Sequence, residues 1–195
     1  MIRIISLRRS LAAAAALVAV FATGASAQQR TGSMRAAVLS PRDTVALALA
    51  PAQRIWVDYG RPSMRGRKIM GGLVPYGRVW RTGANAATTL VTDVDLDLGG
   101  TRVPRGTYTL YTIPTARGWT LIVNRQTGQW GTEYSPSRDF ARIPMQVSAL
   151  RQPVEQFTIS LERQNANAGN LALSWEKTRA WVPFRVVRTP PPPRR

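Results

Sequence analysis

PRGTYTLYTIPTARGWTLIVN, residues 104–124, decides the fold class. Thr107 to Ile113 is rich in Thr and Tyr, residue types that fit a pleated surface. Pro114 to Gly118 turns the chain, and Trp119 to Asn124 resumes extended structure with Trp119, Leu121 and Val123 on one face. The same signature recurs outward in both directions. Upstream, Thr44 to Leu49, Arg54 to Tyr59 and Thr88 to Thr92 read as strands. Asp93 to Leu98 alternates strictly, which sets Val94, Leu96 and Leu98 on one strand face and three carboxylates on the other, before Gly99-Gly100 turns the chain. Downstream, Phe140 to Leu150 is extended but contains Pro144, which lacks a ladder N–H and so suggests an edge or bulged strand. Val154 to Leu161 alternates Phe157, Ile159 and Leu161 against Thr158 and Ser160. Asn165 to Asn170 is a turn cluster, and Leu171 to Trp175 with Trp181 to Val187 reads as a closing hairpin. After the first 27 residues no stretch carries a helical period. Many short strands at regular spacing predict an all-β domain: an antiparallel, jelly-roll-like β-sandwich with one long ordered loop. A closed β-barrel demands the same alternation and stands as the alternative.

The ends of the chain read differently. Arg3, Arg8 and Arg9 precede an apolar run from Leu11 to Phe21 that is too short to span a bilayer, and Ala25-Ser26-Ala27 follows with small residues. That order predicts a signal peptide over residues 1–27, cleaved after Ala27, and hence a periplasmic or secreted protein. No later segment is long enough to cross a membrane. Residues 28–41 are expected to be a flexible lead-in, residues 42–187 a single domain, and RTPPPPRR at 188–195 a tail that cannot enter a sheet.

Composition removes several chemistries. The chain has neither Cys nor His, which excludes a thiol nucleophile, an imidazole base and a His- or Cys-ligated zinc site. Asp93, Asp95 and Asp97 lack the glycine and trailing Glu of a calcium loop, so neither metal nor cofactor is assigned. Lys and Arg number 27 against 10 acidic residues, a formal net charge of +17. Such a field favours anionic partners, and export argues against nucleic acid as the intended one. The oligomeric state is not readable.

Residues 58–89, DYGRPSMRGRKIMGGLVPYGRVWRTGANAATT, show almost no regular period. A run of this length is either a functional loop or a linker. Met70, Leu73, Val74, Tyr76, Val79 and Trp80 make it too apolar for a linker, so an ordered loop laid over a scaffold is expected. Together with PRGTYTLYTIP, WTLIVN, QWGTEY and LSWEKTRAWVPF, this block resembles the domain-of-unknown-function 2911 family, from about Ser40 to Phe184. The resemblance implies an exported bacterial all-β domain. It carries no established activity, and therefore no catalytic set to transfer.

Within the loop, Arg61, Arg67, Arg81 and Asn85 offer guanidinium and amide contacts to carboxylate or phosphate, and Trp80 and Trp130 offer stacking surface. These point to non-catalytic binding of a small polar or anionic envelope ligand, such as a sugar, a carboxylate- or phosphate-bearing molecule, or a cell-envelope glycan. The bland reading of the same residues is architectural: arginines bonding loop carbonyls, with Trp80 plugging the sandwich end. An alternative function is a cofactor-free carbohydrate-active hydrolase using Asp58 with Glu133 or Asp139. A third is a structural envelope protein that binds polyanions through its basic surface and tail.

Overall fold

The computed structural model describes residues 40–187. The expected signal peptide at 1–27, the lead-in as far as residue 39 and the tail at 188–195 lie outside the described residues. Nine strands follow in chain order: β1 (Arg42–Ala50), β2 (Gln53–Gly60), β3 (Thr88–Thr92), β4 (Leu96–Leu98), β5 (Thr101–Val103), β6 (Gly106–Pro114), β7 (Trp119–Asn124), β8 (Asp139–Asn165) and β9 (Ala168–Val186). Among the described residues the helical content is a single 3-10 turn, Pro136–Arg138. The strands form one antiparallel sheet in the order β1-β2-β3-β6-β7-β8-β9-β4-β5, and it does not close into a barrel. The fold is therefore all-β and sandwich-like, and the barrel alternative is set aside.

The two longest strands make one sheet serve as two faces. β8 pairs with β7 over Asp139–Met145 and with β9 over Gln146–Asn165. It thus hands over from one set of partners to the other, and the inner faces enclose a common core. Tyr59 on β2 shows the closure: its ring meets Phe157 of β8 edge-on at 5.8 Å, and its hydroxyl accepts the Ile159 N–H at 3.0 Å. Strict alternation supplies the core. Leu121 and Val123 of β7, Phe157 and Ile159 of β8, and Leu171 and Leu173 of β9 are all buried. Each such side chain stabilises the fold by about 1.5–3 kcal/mol relative to exposure.

Three expectations about elements need correction. β8 is one continuous 27-residue strand between β7 and β9, not a piece that ends near Leu150, and it is bulged, with register shifts against both partners. Pro144 sits opposite Thr120, just before the handover, where the strand uses one edge at a time. β9 is likewise one 19-residue strand, not a hairpin. Glu176, at φ 53°, makes an irregularity within it, marked by register shifts between Ala149 and Thr158 of β8. Lastly, only Leu96–Leu98 of the alternating acidic run is strand. Asp93 and Asp95 turn aside instead. Asp93 accepts the Arg54 N–H at 3.0 Å, and Asp95 accepts from Arg102 Nη2 at 2.7 Å and from the Arg105 N–H at 2.9 Å.

The long loop between β2 and β3 is tied down along its length. Phe157 N–H donates to Pro62 O at 2.9 Å, Met64 N–H to Glu155 O at 2.8 Å, and Gly77 N–H to Pro114 O at 2.8 Å. Trp80 exchanges both backbone bonds with Thr112 of β6, at 2.7 and 2.9 Å. Ile69, Met70 and Val74 of the loop are buried in the core. The Glu176 carboxylate accepts the N–H groups of Ile69 and Met70 at 3.3 and 3.1 Å. The irregularity in β9 therefore aims a carboxylate at two loop amides that regular strand geometry would leave unmet.

Candidate functional site

The site is built around Trp80 and Arg81. The Trp80 backbone bridge to β6 directs its ring onto the end of the core. There it stacks on Trp175 at 5.8 Å with an interplanar angle of 18°. It meets Phe157 and Trp119 edge-on at 5.0 and 6.3 Å. Above this aromatic floor lies a recess of about 360 Å³. Arg65, Arg67, Arg81, Asn85, Leu73 and Trp80 are among its walls, and no described carboxylate lines it.

The polar walls differ in how much of their bonding capacity the protein uses. Arg67 donates from Nε to Met64 O at 2.9 Å and from Nη2 to Ser63 O at 2.8 Å, which locks its fork against the loop. Asn85 donates from Nδ2 to Ser40 O at 3.0 Å, while its Oδ1 has no protein donor among the described residues. Arg81 donates only from Nε, to Gly83 O at 3.3 Å. Its two terminal nitrogens have no acceptor among the described residues. The Arg81 stem is nonetheless held in place. A Cβ on Gly131 would lie 2.8 Å from Arg81 Cδ and 2.7 Å from Asn85 O, so only glycine lets the second loop, residues 125–138 between β7 and β8, close on it. The Gly131 N–H donates to Asn85 O at 2.9 Å.

Four of the six sequence-derived binding candidates, Arg67, Trp80, Arg81 and Asn85, therefore share one recess. Arg61 does not line it. Its Nε donates to Phe157 O at 3.2 Å, its Nη1 pairs with Asp43 at 3.0 Å, and its Nη2 donates to Thr158 Oγ1 at 3.1 Å. That arginine ties β2 to β1 and β8. Trp130 does not line it either; it is exposed and bridged through its backbone to Ala86. The carboxylates are dispersed. Asp58 pairs with Arg42 and accepts from Thr44 Oγ1 at 3.0 Å. Asp139 accepts from Tyr134 at 2.7 Å, Asn124 at 2.9 Å and Arg142 at 2.8 Å. Glu133 is exposed on the second loop. None of the three lines the recess.

Two tyrosines on the other side of Arg81 titrate late. Burial, then the hydrogen bond to Asp139, pushes Tyr134 up to about 12. Burial also raises Tyr111, against a smaller lowering by Gln129. A phenol whose folded pKa lies above its unfolded value near 10 contributes stability that is complete below pH ~10. That contribution is lost as pH rises towards the Tyr134 value of about 12. Alkaline melting curves should show Tm falling across this window, with a shallower fall in Tyr134→Phe. A Tm independent of pH there contradicts the assignment.

Some participants were not visible in the sequence. Trp175, Arg65 and Ser40 line the recess with nothing local to mark them, and Leu73 counted only towards the apolar content of the loop. Trp175 lies in the quoted closing block, yet nothing local marks it as the floor of a site. A larger recess, about 660 Å³, lies elsewhere, by Gln53, Asp93, Asp95 and Arg105. Its carboxylates are bonded to the Arg54 backbone, Arg102 and the Arg105 backbone, so it mixes both signs of charge, whereas the smaller recess has arginines and no described carboxylate.

Residues 40–184 match the family model described as protein of unknown function (DUF2911). No curated protein and no solved structure matches the chain.

Proposed function

We propose that this chain, which belongs to the DUF2911 family, is a non-catalytic binder of a small anionic or polar ligand of the cell envelope. The observation that carries the reading is the Arg81 guanidinium. Its terminal nitrogens have no partner among the described residues, at the wall of a recess that holds two more arginines and no described carboxylate. A guanidinium fork so placed matches a carboxylate or phosphate in bidentate geometry. The Asn85 Oδ1 adds an acceptor for a ligand hydroxyl. The loop that presents these groups is bonded to β6 and β8, so little ordering entropy opposes binding. No described carboxylate lines the recess to act as general base, and the three carboxylates weighed for hydrolysis lie outside it. The leader read at residues 1–27 supports the envelope as the place of action. No helix among the described residues is long and apolar enough to cross a membrane.

Calorimetric titration with galacturonate, a small sugar carboxylate, tests this. Wild type should bind, and Arg81→Ala should bind about 100-fold more weakly while melting at the wild-type temperature. A variant that binds normally, or loses its fold instead, removes Arg81 from the binding role. Absence of binding by wild type contradicts the reading as a whole.

A further inference from the structure

We propose that the ligand is a linear acidic glycan of at least two sugar rings, laid across Arg81 from the cationic recess into an aromatic one beside it. This rests on the binding function proposed above and specifies its substrate class. The second recess, also about 360 Å³, is lined by Val79, Tyr111, Thr132 and Tyr134. Trp80 and Arg81 line both recesses and form their shared wall. The Arg81 stem is fixed against Gly131, and its terminal nitrogens, without a partner among the described residues, suit an anionic group at the junction.

The second recess has the chemistry of a sugar platform. The Tyr111 and Tyr134 rings meet at 4.8 Å and 62°, and both hydroxyls are bonded, Tyr111 to Glu133 O at 3.2 Å and Tyr134 to Asp139 at 2.7 Å. Tyr111 is buried and backs the partly exposed Tyr134 ring, which with Val79 gives a braced apolar surface whose polar end is occupied, as a sugar's C–H face requires. The large exposed hydrophobics among the described residues are Leu73, Tyr76, Val79 and Trp130. All four lie on the two loops that build these recesses. Leu73 lines the first, Val79 lines the second, and Trp130 adjoins Gly131 of the second. Leu73 and Val79 thus give each recess an exposed apolar group, the mark of an interaction surface. A single ring covers one recess and leaves the other's apolar rim in water, whereas a chain covers both.

Titration of wild type with galacturonate, trigalacturonate and neutral cellotriose tests the inference. Trigalacturonate should bind at least about tenfold more tightly than galacturonate, and cellotriose more weakly than trigalacturonate. Thr132→Met, an exposed position that fills the second recess, should bring the trimer-to-monomer affinity ratio towards one. Equal affinity for monomer and trimer in wild type overturns the glycan inference and leaves the anion-binding function standing. Failure of both acidic sugars to bind overturns the function itself. Cellotriose binding as well as trigalacturonate, or a Thr132→Met variant that keeps the length advantage, contradicts the acidic character or the second recess respectively.

Discussion

Trp80→Ala should lower the unfolding free energy by about 3–4 kcal/mol. The ring is only partly buried, yet it stacks on Trp175 and abuts Phe157 and Trp119. Removing it opens a hole at the end of the core that the rigid loop backbone, bonded to Thr112 on both sides of Trp80, cannot collapse to fill. Denaturant unfolding should show the midpoint falling with the slope unchanged, since the exposed area on unfolding is nearly the same. Thermal melting should drop by roughly 10 °C. A variant as stable as wild type means that Trp80 is a surface platform and not a plug. The contrast with its neighbour is informative. Trp80→Ala should lose stability, whereas Arg81→Ala should lose ligand and keep its stability.

Gly83→Ala should cost about 3 kcal/mol and weaken galacturonate binding as well. Gly83 has φ 154°, a conformation that L side chains rarely adopt. An added Cβ would also lie 2.8 Å from Thr88 Oγ1 and 3.0 Å from Gly60 O. Thr88 cannot easily yield, because its buried hydroxyl donates to Thr82 O at 2.7 Å. Thr82 and Asn85 have positive φ too, at 52° and 63°, so the backbone beside the recess stores strain that the surrounding contacts hold in place. Because Gly83 O is the acceptor for Arg81 Nε, relaxation of this turn moves the guanidinium. Melting and titration of the same variant should show both losses. A Gly83→Ala protein that melts and binds like wild type contradicts the strained-turn account.

Strands with one buried face were legible because alternation at period two leaves a physical trace in the residues. Leu121 with Val123, and Phe157 with Ile159, stand where that pattern places them. The unity of β8 and β9 was not legible. Pro144 and the Glu176 region look like breaks locally, and only the exchange of strand partners explains why the chain runs on. In the site, Arg67, Trp80, Arg81 and Asn85 could be found together because one chain segment carries them. The distinction between Arg61 and Arg81 could not be found that way. Both are arginines in the same block, but the Arg61 acceptors are supplied by Asp43 and by Phe157, 18 and 96 residues away in the chain. The aromatic recess was hidden for the same reason: Tyr111 and Tyr134 reach Arg81 only through the fold.

The most direct measurement of the central claim is an assigned NMR titration of wild-type protein with trigalacturonate. The Trp80 indole N–H, the Arg81 Nε–H and the Asn85 side-chain amide should shift together and saturate at one ligand concentration. Shifts confined to Gln53 and Arg105, at the larger recess, or no saturable shift at Arg81, contradict it.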